Sequence, residues 1–210
     1  MFWPKSSLKK PQKWPNRGSR TKILNAWYLS DLSLKHLPNA FANLKSVETL
    51  SLDNNEFKSV PPQVIALNKL KCLYMNNNKV QSIPVTITEL KNLRYLWLQK
   101  NKVRTLPYHL IMLPSIRYIH AESNDIEEIP SCLEEAVQLK GLWLSANLIT
   151  KVPDSVLRCH YLETLHVDQN DIVYLPQDFN ERSKLKDFLI SSCATYYKNH
   201  PEEIPDNAQN

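Results

Sequence analysis

The stretch that decides the fold is residues 47–67, VETLSLDNNEFKSVPPQVIAL, in which leucines, one asparagine and a proline stand at fixed distances. Its asparagine, Asn55, returns every 23 residues without a gap. Leu32 and Cys193 take the same place one period before and one period after the series. The repeated asparagines are Asn55, Asn78, Asn101, Asn124, Asn147 and Asn170. A gapless period of about 20–30 residues is the sequence signature of a solenoid made of stacked coils.

Each repeat predicts one short strand with a buried side and an open side. Residues five and three positions before the asparagine are apolar and point inward, whereas those two, four and six positions before it point outward. No single repeat buries its apolar side, so the coils must stack. The asparagine side chain carries a donor and an acceptor, and we expect it to bond buried backbone of its own and the neighbouring coil.

In seven of the eight repeats, an apolar-Pro step follows the asparagine place, with the proline six positions after it. Because proline fixes φ near the helical value, we expect it to occupy the first position of a short helical segment. The prolines of this column are Pro38, Pro61, Pro84, Pro107, Pro130, Pro153 and Pro176.

The chain divides into three predicted parts. Residues 1–20 form a basic arm, residues 21–193 form one solenoid of eight 23-residue repeats, and residues 194–210 form a C-terminal cap and tail. The arm carries six basic residues and no acid, while the whole chain has a formal charge of +5. The positive charge therefore belongs to the arm, and the remainder is near neutral.

The outward strand positions concentrate aromatic and charged residues in rows across consecutive repeats. Exposed Trp, Tyr and Arg in one patch are the composition of binding hot spots. The alternative is that the rings only brace one another across strands. The predicted partner-binding residues are Tyr74, Tyr95, Trp97, Tyr118, His120, Trp143, His166, Arg94, Arg117, Glu122 and Asp168.

Catalysis and metal binding are disfavoured. The pairs His120-x-Glu122 and His166-x-Asp168 resemble a base with an orienting acid, but no Ser or Cys nucleophile stands at a matching place. The two histidines are two strands apart, too far for one Zn²⁺ with bonds of about 2.0–2.1 Å. With two glycines the chain also lacks a Gly-rich phosphate loop. We therefore predict no catalytic residue, no cofactor and no metal.

The cysteines indicate a reducing compartment. The four of them, which include the core position Cys159, form neither C-x-x-C pairs nor clusters that cap the repeats. No apolar run approaches the length of about 18 residues that a membrane span requires. We expect a cytoplasmic location, with the nucleus as the alternative.

The repeats resemble the 23-residue, Leu-Pro type of intracellular leucine-rich-repeat proteins. That type includes the Ras-pathway scaffolds, the Scribble and Erbin group and the plant intracellular Ras-group proteins. Residues 90–107, LKNLRYLWLQKNKVRTLP, and residues 139–157, LKGLWLSANLITKVPDSVL, are most similar to small vertebrate leucine-rich-repeat proteins, including striated-muscle members. The resemblance covers residues 24–193.

The resemblance implies an α/β fold: a right-handed horseshoe of eight coils, with a concave parallel sheet and short helical or 3-10 segments on the convex side. It implies a protein partner on the concave face, such as a small GTPase, a phosphatase subunit or a cytoskeletal protein. We predict a non-enzymatic interaction module or scaffold in intracellular signalling. The alternative is that the basic arm binds nucleic acid or an acidic membrane, with nucleic acid the less favoured partner and the oligomeric state left open.

Overall fold

The computed structural model describes residues 25–177, 179 and 183–190. Within them, eight three-residue strands form one open parallel sheet whose order follows the chain. Each strand residue pairs with the residue 23 positions later, for example Leu50 with Leu73, so the predicted register is confirmed. The strands are β1 (Ala26–Tyr28), β2 (Thr49–Ser51), β3 (Cys72–Tyr74), β4 (Tyr95–Trp97), β5 (Tyr118–His120), β6 (Gly141–Trp143), β7 (Thr164–His166) and β8 (Asp187–Leu189).

The core lies on one side of this sheet. The middle residue of each strand from β2 to β7 is fully buried, while Trp27 in β1 and Phe188 in β8 are only partly covered. This difference follows from stacking, because an outermost coil has a neighbour on one side only. The first and third residues of most strands are half-buried and face outward, as the two-residue alternation predicts.

The repeated asparagine joins each coil to the one before it, as predicted. Asn78 Oδ1 accepts a hydrogen bond from the amide of Phe57 at 3.0 Å. Its Nδ2 donates to the carbonyls of Leu52, Met75 and Asn76 at 2.9, 3.1 and 3.2 Å. The same pattern recurs at Asn55, Asn101, Asn124, Asn147 and Asn170.

A left-handed residue precedes each of these asparagines. Asn54 and Asn77 have φ of 55° and 52°, and asparagine tolerates this conformation well. Lys100, Ser123 and Ala146 adopt it too, with φ of 54–55°, although the conformation costs most residues about 1 kcal/mol and they lack the asparagine side chain that offsets this by bonding locally. The turn that places the asparagine under the sheet is thus imposed by the solenoid and not by local residue preference.

Short helical segments lie opposite the sheet and alternate in type. The 3-10 segments are Asn39–Asn43, Val85–Glu89 and Leu133–Glu135. The α-helical turns are α1 (Pro62–Ile65), α2 (Tyr108–Ile111) and α3 (Ser155–Arg158).

The predicted helical position of the column prolines is wrong. Pro38, Pro61, Pro84 and Pro107 all cap the segment that follows, with ψ of 140–149°, which is extended. A proline ring fixes φ but leaves ψ free, and its carbonyl can still accept the first helical hydrogen bond. Pro38 O accepts such a bond from Phe41 N at 2.9 Å. After Pro130 and Pro153 the segments begin only at Leu133 and Ser155.

The predicted arm (1–20), the predicted cap and tail (194–210) and Cys193 lie outside the described residues. In the part of the chain that is described, no helix has the length and apolar content to span a bilayer.

Candidate functional site

The rings predicted for the open side of the sheet share one surface, which we call the open face. Tyr74 pairs in register with Trp97, Trp97 with His120, His120 with Trp143, and Trp143 with His166. All five side chains are half-buried. The residue directly before each of them, the middle residue of its strand, points into the core. Burial raises the pKa of the Tyr74 hydroxyl, consistent with its place in a ring cluster.

These five side chains form a continuous stack, the ring ladder. Tyr74 and Trp97 are parallel with centroids 4.2 Å apart, and Trp97 and His120 are parallel at 5.3 Å. His120 and Trp143 are parallel at 4.1 Å, whereas Trp143 meets His166 edge-on at 5.8 Å. The imidazole of His120 is therefore held between two indoles, which fixes its orientation.

Two tyrosines form a second column beside the ring ladder. Tyr95 stacks on Tyr118 at 5.3 Å and on Trp97 at 5.6 Å. Tyr118 lies tilted against Trp143 at 6.1 Å. All seven predicted ring residues thus belong to one cluster. Stacked pairs contribute about 0.5–1.5 kcal/mol each beyond area burial. The rings therefore brace one another across strands, which was the alternative to partner binding, and they also leave their edges on the surface.

Gly141 completes the cluster, and the sequence reasoning missed it. It occupies the position that Tyr95 and Tyr118 hold in the two preceding strands. A Cβ there would collide with the Trp143 ring and lie 3.0 Å from Tyr118. The missing side chain therefore lets the indole of Trp143 lie over the strand. The signal was present, since Gly141 is one of two glycines and interrupts an aromatic column.

Four cations flank the tyrosine column and form the basic row, Lys71, Arg94, Arg117 and Lys140. Lys71 Nζ contacts Glu48 Oε2 at 2.7 Å. Lys140 Nζ contacts Glu163 Oε1 at 3.4 Å. Lys186 with Lys140 holds the pKa of the Glu163 carboxyl below its usual range.

The opposite side of the ring ladder is lined by the polar row, Asp53, Asn76, Gln99, Glu122, Ser145 and Asp168. Gln99 Nε2 donates to Glu122 Oε1 at 2.9 Å, and His120 Nδ1 lies 3.4 Å from the same oxygen. Glu122 Oε2 is buried, and no hydrogen-bond partner for it exists among the described residues. The Ser145 hydroxyl donates to Asp168 Oδ1.

His166 does not pair with Asp168, although their spacing resembles a base with an orienting acid. His166 Nε2 lies 2.8 Å from Asp187 Oδ2 on the neighbouring strand, and Asp168 bonds Ser145 instead. Parallel strands are only about 4.7–4.9 Å apart, so a carboxylate on the next strand can compete with one two residues along the same strand. His166 and Asp168 therefore remain on the open face but do not act as a pair.

Metal ligands and a reactive thiol are the two chemical features that the side chains of the open face could supply. No group of three His, Cys, Asp or Glu residues there lies close enough to hold a metal ion. Cys72 lies on this face, but burial raises the pKa of its thiol, which lowers the thiolate fraction.

Comparison with known proteins supports the repeat fold. The leucine-rich-repeat family model matches residues 45–103 and, in an overlapping match, residues 68–126. A leucine-rich-repeat protein of Leptospira interrogans is 24% identical with a TM-score of 0.62, over 78% of this chain and 49% of that protein. Comparison with curated proteins finds no match.

Two plant receptors have similar structures. The ectodomain of the receptor kinase GASSHO1/SCHENGEN3 from Arabidopsis thaliana, in complex with CASPARIAN STRIP INTEGRITY FACTOR 2, is 24% identical with a TM-score of 0.67, over 79% of this chain and 21% of that one. The plant peptide hormone receptor RGFR1, in complex with RGF2, is 27% identical with a TM-score of 0.64, over 78% of this chain and 28% of that one.

The chain spans less than half the length of each of these three proteins. The fold is a leucine-rich-repeat solenoid, and the predicted fold class is confirmed. Such solenoids present extended binding surfaces, and the fold suggests a protein–protein interaction module.

Proposed function

We propose that the chain is a non-enzymatic interaction module that binds a protein partner on the open face, across the ring ladder. The observation that carries this proposal is the continuous stack from Tyr74 to Trp143, with centroid distances of 4.1–5.3 Å. Because the rings hold one another, they lose little side-chain entropy when a partner docks. The similar receptor RGFR1, seen in complex with RGF2, supports a ligand-binding role for this fold.

The finer parts of the proposal follow the family resemblance. A small GTPase, a phosphatase subunit or a cytoskeletal protein is the proposed class of partner, within a signalling scaffold. The proposed location is the cytoplasm, with the nucleus as the alternative. Cys72, Cys132 and Cys159 are free thiols, which a reducing compartment preserves.

The test is loss of capture when the ring ladder is broken. We expect Trp97→Ala with Trp143→Ala to abolish cross-linked capture of partners from a cell extract, measured by quantitative mass spectrometry. Trp97→Phe with Trp143→Phe keeps stacked rings and should retain part of the capture. The matched control is Tyr108→Ala with Tyr161→Ala, since these exposed aromatic residues lie outside the strands that form the open face.

Circular dichroism must show every variant folded at the capture temperature. Partners captured equally by the wild type and the Trp97→Ala, Trp143→Ala variant would contradict the proposal. If the Tyr108→Ala, Tyr161→Ala control loses as much capture as the Trp97→Ala, Trp143→Ala variant, the partner does not bind specifically at the ring ladder, which also contradicts the proposal.

The alternative function concerns the basic arm, whose six cations occur without an acid. If the arm binds nucleic acid or an acidic membrane, deletion of residues 1–20 should remove binding, and the affinity of the full chain should fall steeply with salt. Binding that survives both changes would exclude this alternative.

A further inference from the structure

The cations at the two ends of the basic row contact carboxylates, and Glu163 at one end also contacts Lys186. Lys71 contacts Glu48, and Lys140 contacts Glu163. Arg94 and Arg117, between them, have no ion-pair partner in residues 25–177, 179 and 183–190. Among the described residues, the middle of the row therefore carries two positive charges without a paired carboxylate, beside the tyrosine column.

The two guanidinium groups come from the residues directly before two adjacent strands, β4 and β5. The Arg117 amide donates to the Arg94 carbonyl at 2.9 Å, so the two side chains start one strand spacing apart. Arg94 is exposed and Arg117 is half-buried. Neighbouring like charges repel, and an arginine fork matches a carboxylate through two parallel hydrogen bonds.

We propose that Arg94 and Arg117 receive acidic side chains of the bound protein segment, so that the partner carries an Asp- or Glu-rich stretch next to an apolar residue. This inference rests on the proposed function and states how the bound protein segment is oriented on the open face. The carboxylates lie over the guanidinium groups, and the apolar residue contacts the exposed edges of Trp97 and Trp143.

The surrounding charges favour a protein segment over a nucleic acid. Glu48 and Glu163 stand in line with the arginines, one beyond each end of the basic row. Asp53, Glu122 and Asp168 lie across the ring ladder. A nucleic-acid backbone carries a phosphate at every nucleotide and would meet these carboxylates, whereas a peptide can place its acids only where the arginines are.

The experiment selects a display library of random peptides against the full chain and against two variants. We expect peptides selected on the wild type to be enriched in Asp and Glu. Selection on Arg94→Ser with Arg117→Ser should lose that enrichment. The matched control, Lys71→Ser with Lys140→Ser, removes the same charge from paired positions and should keep it.

Synthetic copies of the enriched peptides give the magnitude by fluorescence polarisation. We expect each arginine substitution to weaken binding about tenfold, because a charge-assisted hydrogen-bond pair is lost. A single-stranded oligothymidine is measured in parallel. Arginine-dependent binding of the oligothymidine that exceeds the peptide binding would overturn the proposal in favour of nucleic acid.

The outcomes separate this inference from the proposed function. The selected peptides are also measured on the Trp97→Ala, Trp143→Ala variant. Peptides that lose binding to this variant but show no acidic enrichment would overturn the inference and leave the function standing. Acidic peptides lost equally in the lysine control would show general charge attraction and also overturn it. If no peptide depends on the ring ladder, both proposals fail.

Discussion

Replacing Asn101 with alanine tests how the asparagine column holds the coils together. Asn101 Oδ1 accepts from Val80 N at 2.9 Å, and Nδ2 donates to the carbonyls of Met75 and Leu98, each at 2.9 Å. All three bonds are buried. The substitution leaves the Val80 amide without its bond in a place that water does not reach.

The two carbonyls are affected less than the amide, because neighbouring asparagines share them. Met75 O also accepts from Asn78 at 3.1 Å, and Leu98 O from Asn124 at 2.9 Å. An orphaned buried amide costs about 2 kcal/mol, and each lost second bond to a carbonyl about 0.5 kcal/mol. We therefore expect Asn101→Ala to lower the free energy of unfolding by about 3 kcal/mol.

The matched control is Asn170→Ala, which removes the same bonds at a half-buried position. Water can replace them there, so we expect a loss of about 1 kcal/mol. Urea unfolding followed by both tryptophan fluorescence and circular dichroism measures the two losses. Equal losses at the two positions, or a loss below about 1 kcal/mol at Asn101, would refute the reasoning.

Three further predictions concern other positions of the solenoid. Gly141→Ala should displace the indole of Trp143 and weaken partner capture without unfolding the chain. Near-ultraviolet circular dichroism would detect the displaced indole, and an unchanged spectrum would contradict the prediction. Ala146→Asn should raise the free energy of unfolding by about 0.5–1 kcal/mol, because asparagine tolerates φ of 55° better, and a lower urea midpoint would disprove this. The rate of Cys72 alkylation should rise only at a pH above the ordinary thiol pKa, because burial raises the pKa of this thiol. Bound partner should slow the alkylation of Cys72, whereas Cys132, on the side opposite the sheet, should react at an unchanged rate.

The period alone was sufficient to predict the sheet, its register and the face on which each ring lies. Residues 23 positions apart must stack, so Tyr74, Trp97, His120 and Trp143 had to emerge on one side. The role of the asparagine was predictable for the same reason, since a side chain with a donor and an acceptor recurs at every buried turn.

Features that depend on a torsion angle or a rotamer were not predictable from the period. The column prolines fix φ, and nothing in the repeat decided that ψ would be extended, as at Pro38. His166 had carboxylates available on two strands, and its rotamer selects Asp187. That Arg94 and Arg117 have no ion-pair partner within the described part of the chain likewise became visible only once the contacts of Glu48 and Glu163 were known.

The unbroken 23-residue register makes each coil an interchangeable unit. Excision of residues 79–101 would join Asn78 to Lys102, which holds the same place in its repeat as Lys79, and leave no mismatched turn. Tyr74 would then lie beside His120, and the wall of rings would be one rung shorter with its chemistry otherwise kept. The length of the binding surface is therefore set by the number of coils in the chain. Duplication of one coil would allow a longer segment to bind, and loss of one coil would allow only a shorter one.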